Sequence, residues 1–109
     1  MTAFHSNKYE ANKAKIAKFI GISSISHANF ELVAKWVLNN ATYVGSGNMA
    51  GRKQYVEKVK GKWFVLITAS FNKVGVSLYG CSNNGLPMSQ ADVARMAASR
   101  GLKPTYRAP

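Results

Sequence analysis

The chain has 109 residues, of which 47% are hydrophobic, and its 15 lysines and arginines face only four acids, for a formal net charge of +11. That hydrophobic content is enough for one folded core and excludes a disordered chain. A single cysteine excludes an internal disulfide, and the longest apolar stretch, residues 63–67, is too short to span a bilayer. We therefore expect a single compact domain over residues 1–109, located in the cytoplasm (the host cytoplasm for a phage protein), with a frayed basic tail at 103–109.

Two helices are predicted in the first part of the chain. From Ser6 to Ile20 the apolar residues recur at helical spacing, and Gly21 is a natural end. At about 100° per residue, three cations of this helix share a sector of about 80°: Lys8, Lys15 and Lys18. Ser26 caps a second helix over about residues 27–39. Because this second helix is apolar around nearly its whole circumference, we expect it to be the central, buried one.

The second half of the sequence changes to the alternating period of strands. Residues 41–45 form a short candidate strand, and residues 53–59 and 63–71 form two longer ones joined by a tight turn at Lys60-Gly61. A third meander strand follows at 74–79. The segment 63–71 is apolar on both faces, as in the middle of a sheet.

Ser89 and Asp92 form the capping box of a last helix, which ends at Gly101. Together the elements predict an α+β fold: two N-terminal helices, an antiparallel β-meander of three to four strands, and a C-terminal helix packed on one sheet face. All three helices are expected on the same face, as in a two-layer sandwich.

The residues that carry chemistry do not indicate an enzyme. The acids of the chain are Glu10, Glu31, Glu57 and Asp92. No two of these have a spacing that would bring paired carboxylates to one bond. His5, His27 and Cys81 are too scattered to predict a metal site or a nucleophile with its base. We therefore expect no catalytic residue, no cofactor and no metal, and we expect Cys81 to be a small buried side chain.

The strongest functional signal is a run of five cations within eleven residues, with two aromatics among them: Arg52, Lys53, Lys58, Lys60 and Lys62, with Tyr55 and Trp63. Lysine and arginine neutralise phosphates and release condensed counterions, while aromatic rings stack on unpaired bases. The alternative interpretation is a solubilising hairpin whose aromatics point into the core. Trp63 is expected in the core, and Tyr55 fits either interpretation.

The leading hypothesis is a small non-enzymatic protein that binds DNA or RNA through the phosphate backbone. The expected interface joins the hairpin to the first helix: Lys8, Lys15, Lys18, Arg52, Lys53, Tyr55, Lys58, Lys60 and Lys62. A further basic group lies near the C-terminus: Arg95, Arg100, Lys103 and Arg107. Whether the basic groups share one face depends on tertiary packing.

The alternative hypothesis is an inhibitor of the kind that phages and mobile elements encode, which docks on an acidic protein or ribonucleoprotein surface, for example of CRISPR or transcription machinery. Small size, the lack of a catalytic set and the strong charge fit both hypotheses. Attachment to a membrane is not expected, because docking on the core explains the apolar side of the first helix. The sequence indicates no oligomeric state.

Overall fold

The computed structural model describes residues 9–72 and 74–105 and shows an α+β fold with the predicted order of elements. Lys8 and the start of the predicted first helix lie outside the described residues, as does the tail from residue 106 onwards. The helices are α1 (Tyr9–Ile20), α2 (His27–Asn40) and α3 (Gln90–Ser99). The strands are β1 (Tyr43–Gly45), β2 (Arg52–Val59), β3 (Lys62–Ala69), β4 (Gly75–Gly80), β5 (Ser82–Asn83), β6 (Leu86–Pro87) and β7 (Lys103–Pro104).

Local capping sets the helix ends that the sequence predicts. At the start of α2, Ser26 Oγ accepts a hydrogen bond from the Asn29 N–H at 3.1 Å. At the start of α3, Ser89 Oγ accepts one from the Asp92 N–H at 3.2 Å. α1 is followed by Gly21, whose φ of +81° lies in the left-handed region that favours glycine. These three predicted boundaries are confirmed.

A five-stranded antiparallel sheet forms the centre of the fold, with the order β4-β3-β2-β1-β7. β2 and β3 turn at Lys60-Gly61, where both residues have positive φ, as in a type I′ hairpin turn. Lys103 and Pro104 pair with β1, and the Thr105 N–H donates to Thr42 O at 2.8 Å. Residues 103–105 therefore belong to the sheet and not to a frayed tail. A two-residue strand that ends in proline is too short a pattern for the sequence to indicate.

Helices cover both faces of the sheet, which corrects the two-layer sandwich predicted from the sequence. α1 and α2 pack on Phe64 and Leu66 of β3, whereas α3 packs on Val65 of the same strand. We call these two sides the helix-pair face and the α3 face. A strand that is apolar on both sides needs a cover on each, so the sequence of β3 already pointed to three layers.

α2 is not the buried central helix that the sequence predicts. Phe30, Ala34 and Val37 are fully buried, and this single stripe packs into the core of the helix-pair face. Leu32 and Trp36 remain 62% and 51% exposed. A helix with an apolar circumference is either enclosed or carries a second apolar face towards solvent, and α2 is of the second kind.

A buried asparagine anchors α1 to the edge of the sheet. Asn12 Oδ1 accepts hydrogen bonds from the Leu78 backbone N–H at 2.9 Å and from Ser77 Oγ at 3.1 Å. Because β4 is an edge strand, Asn12 supplies an acceptor that no neighbouring strand provides. The contact fixes the position of α1, and with it the lysines of α1, relative to the sheet.

Replacing Asn12 by alanine is expected to lower the free energy of unfolding by about 1–3 kcal/mol, because the Leu78 N–H would stay buried without an acceptor. Ser77→Ala removes only the second donor, and we expect a smaller cost of about 0.5 kcal/mol. Urea unfolding followed by circular dichroism measures both. Equal effects of the two substitutions would show that the Leu78 hydrogen bond is not the anchor.

Candidate interaction surfaces

The structure divides the predicted basic hairpin between two faces and two ends of the sheet. The strand register places Arg52 and Lys58 on the α3 face and Lys53 on the helix-pair face. β2 is eight residues long, so Arg52 lies more than about 20 Å from the hairpin turn. The run of cations along the sequence is therefore not one patch in space.

Lys62 has a partner inside the fold. Its Nζ donates to the Phe19 carbonyl oxygen at 3.0 Å and lies 5.5 Å from the centre of the Phe19 ring. A cation at this position complements the free carbonyl groups at the end of α1. The same contact brings the end of α1 to the hairpin turn, so Lys18 and Lys60 lie at the same end of the fold.

The two aromatic residues of the predicted hairpin are buried. Tyr55 is only 6% exposed, in the core of the helix-pair face, and burial raises the pKa of its hydroxyl. Trp63 is also buried, on the α3 face, with Lys58 Nζ 5.8 Å from its ring centre. The core position expected for Trp63 is confirmed. Tyr55 is removed from the candidate interface, because a buried ring has no free face on which a base could stack.

The carboxylate side chains neutralise few of the cations. All four acids lie in the described part of the chain, where the ion pairs are Lys13–Glu10, at 3.9 Å, and Arg95–Asp92. Glu57 instead accepts a hydrogen bond from Thr42 Oγ1 at 2.5 Å, and Oε1 of Glu31 is buried. Within the described chain, four exposed lysines near the end of α1 and the hairpin turn thus form no ion pair, with Lys58 projecting from the α3 face. We call them the basic end: Lys15, Lys18, Lys58 and Lys60.

The C-terminal basic group of the sequence is dispersed. Arg100 Nη1 donates to Gln54 Oε1 at 3.0 Å and to Tyr79 OH at 2.8 Å, on the α3 face. Lys103 lies in β7, at the sheet edge opposite β4. Arg107 falls outside the described residues. Arg100 and Lys103 therefore add no charge to the basic end.

The second apolar stripe of α2 lines a groove that the sequence does not predict. Its apolar members are Leu32, Val33 and Trp36, and Asn29 completes the i, i+3, i+4, i+7 spacing of the same helix face. The facing wall comes from the end of α1 and the loop that follows it, and the floor comes from β2 and β3. The volume of about 580 Å³ is in the range of ligand pockets. We call this feature the α2 groove.

The α2 groove is apolar and has a basic rim. Eight of its eleven lining residues are apolar and none is acidic, while Lys60 and Lys62 stand on its hairpin side. The sequence of α2 contains an indication of the groove, because this helix has more apolar residues than its single buried stripe contains. From the sequence alone, such an excess equally favours burial of the helix on all sides.

The side chains that could bind a metal ion or act as a nucleophile lie apart from one another in the described part of the chain. Among the described residues, no three His, Cys, Asp or Glu side chains are placed to hold a metal ion. Cys81 is 2% exposed, as predicted, and burial raises the pKa of its thiol to about 12, with Arg100 opposing the shift. His27 Nδ1 is hydrogen-bonded to the Tyr9 hydroxyl, between the starts of the first two helices.

Comparisons with known proteins leave the function to be inferred from these surfaces. No protein-family model, curated protein or solved structure matches the chain. Within the ranges that the structure describes, every helix is too short or too polar to cross a bilayer. The basic end and the α2 groove are the two features on which a functional inference rests.

Proposed function

We propose that the protein is a small non-enzymatic nucleic-acid-binding protein that holds the phosphate backbone with its basic end. The observation that carries the proposal is the set of exposed lysines at the end of α1 and the hairpin turn, which form no ion pair within the described chain. Uncompensated charge of one sign does not stabilise a compact fold, whereas a phosphate backbone complements it.

The proposed interface is smaller than the one expected from the sequence. It keeps Lys15 and Lys18 on α1 and Lys58 and Lys60 on the hairpin. It omits Lys62, whose amine is bonded to the end of α1, and the buried Tyr55. Arg52 and Lys53 lie at the far end of β2.

The mode of binding follows from what the basic end contains. Its members are lysines on a helix surface and around a turn, and the two aromatic rings of the hairpin are buried. Lysines position a backbone through charge and do not distinguish one base from another. We therefore expect modest sequence preference and strong dependence on salt.

Lys18→Ala and Lys60→Ala are each expected to weaken binding alike on all sequences and to lower the slope of log affinity against log salt by about 1. Lys103→Ala is the matched control, because it removes the same charge from an exposed position at a distant sheet edge. Fluorescence anisotropy with labelled duplex DNA, single-stranded DNA and duplex RNA, over a series of salt concentrations, gives affinity and slope together.

Two results would contradict the proposal. Binding that does not respond to salt, or no binding to any of the three probes, would show that the basic end does not contact phosphates. An equal loss in Lys103→Ala would mean that the overall charge attracts nucleic acid and that the basic end has no special part in it.

A further inference from the structure

We propose that the α2 groove binds an acidic amphipathic helix of a partner protein. This inference goes beyond nucleic-acid binding and rests on the α2 groove, which adjoins the basic end at Lys60. Leu32, Trp36 and Ile22 are 62%, 51% and 45% exposed and line the same groove. Contiguous exposed apolar surface on a small protein marks an interaction site, whereas single exposed apolar residues do not.

The exposure of this stripe is not a by-product of filling the core. Phe30, Ala34 and Val37 already provide the buried side of α2 against the helix-pair face. Leu32 and Trp36 contribute to neither hydrophobic core. Because a soluble fold gains nothing from leaving such side chains in water, a surface outside the chain is the natural cover for them.

The geometry of the groove favours a helix as its occupant. From Asn29 to Trp36 the stripe spans two turns, about 10 Å along the helix axis, with the loop after α1 as the opposite wall. A partner helix presents its anchors at the matching spacing of i, i+3 or i+4, and i+7. An extended peptide would need a free strand edge. Val59 of β2 and Phe64 of β3 instead face the groove with their side chains, on the helix-pair face, and not with a strand edge.

Charge complementarity selects an acidic partner. The groove lining contains Lys60 and Lys62 and no carboxylate, and Lys35 is exposed on α2 three residues after Leu32. A second copy of this chain would bring another +11 to the contact and would be repelled. A helix with leucine or phenylalanine anchors, flanked by glutamate and aspartate, satisfies both the apolar walls and the basic rim.

A nucleic acid fits the same walls less well. Apart from Trp36 and Phe64, the apolar lining is aliphatic, and Phe64 is buried. Base recognition on single strands relies on successive aromatic platforms, which one exposed ring does not provide. Trp36 instead has the position of an interface anchor: a large ring beside a groove, surrounded by apolar contacts.

The test is a selection from a displayed library of amphipathic helices. The library fixes leucine, isoleucine or phenylalanine at the anchor spacing and varies the flanking positions among acidic, basic and neutral residues. Selection uses the full-length wild-type chain at physiological salt, with Leu32→Glu as the counter-selection target. Leu32 is exposed, so this substitution is expected to leave the fold intact, which circular dichroism verifies.

Enriched peptides are expected to be more acidic than the input library and to bind Leu32→Glu at least about tenfold more weakly than the wild type. Phe71→Glu is the matched control: Phe71 is 85% exposed in the turn between β3 and β4, away from the groove, and the charge change is the same. Phe71→Glu is expected to bind the peptides like the wild type. A blue shift in the emission of Trp36 on binding provides an independent signal.

Three results would overturn the proposal: no enrichment of wild-type binders over Leu32→Glu, enriched peptides no more acidic than the input, or equal losses in Leu32→Glu and Phe71→Glu. A fourth concerns nucleic acid. If Leu32→Ala weakens binding to duplex DNA more than Phe71→Ala does, the groove belongs to the nucleic-acid surface. Lys18 lies outside the groove lining, so Lys18→Ala tests the phosphate contact without changing the groove, and the two proposals fail separately.

Discussion

Phe30→Ala is expected to lower the free energy of unfolding by about 3–5 kcal/mol, a large part of the total stability of a domain of this size. Phe30 is fully buried between α2, α1 and the sheet, and its ring meets Tyr9 edge to face, with 5.2 Å between the ring centres. Truncation removes the transfer free energy of the ring and leaves a cavity, since the helices on this face are also held by other contacts.

The matched variant is Leu32→Ala, two residues along the same helix. Leu32 is 62% exposed on the groove side, so we expect its truncation to change stability by no more than about 0.5 kcal/mol. Urea unfolding of both variants under the same conditions provides the comparison. Similar losses in the two variants would contradict the division of α2 into a core stripe and a groove stripe.

Alkylation of Cys81 at neutral pH is expected to be about a thousandfold slower in the folded protein than in the denatured chain. The thiolate is the reactive form, and burial raises the pKa of this thiol from 9.0 to about 12. The reaction with iodoacetamide, followed by mass spectrometry in buffer and in urea, measures the ratio. Comparable rates in the two conditions would show that the thiol is accessible and ionised in the fold.

The same shift makes stability depend on pH in the alkaline range. The folded-state pKa of Cys81 is above its unfolded value, so the contribution of the neutral thiol is fully present below about pH 9 and is lost as pH rises towards 12. The loss in this window is about 1.4 kcal/mol per pH unit. Cys81→Ala lacks this term, and Tyr55, whose pKa is also raised, is common to both proteins. A pH dependence identical in the two proteins would rule out the Cys81 contribution.

Much of the fold was predictable because its determinants are local. Ser26 and Ser89 bond to backbone N–H groups three residues ahead, and Lys60-Gly61 adopts the dihedral angles of a hairpin turn from its own residues. The class of the fold follows from the switch between helical and strand periods. Each of these signals acts over a few residues, so it can be recognised without knowledge of the tertiary structure.

The errors arose where a pattern had two tertiary solutions. An apolar circumference fits an enclosed helix as well as a helix with one buried and one exposed apolar face. Only the position of α2 on the outside of the sheet shows that it is the second kind of helix. The cations at 52–62 are neighbours in sequence, but a strand alternates its side chains between faces. The sequence gives no local signal that Lys62 is bonded inside the fold, because the Phe19 carbonyl group that it binds lies 43 residues away.

The two borders of the sheet have a consequence for how the molecule behaves at high concentration. Along β4, the Asn12 side chain accepts a hydrogen bond from the backbone N–H of Leu78. β7 has only two residues, and one of them, Pro104, has no backbone N–H. Within the described residues, neither border presents the long row of free backbone groups that templates strand exchange or fibril growth. Together with the mutual repulsion between copies that each carry +11, this arrangement opposes polymerisation through the sheet.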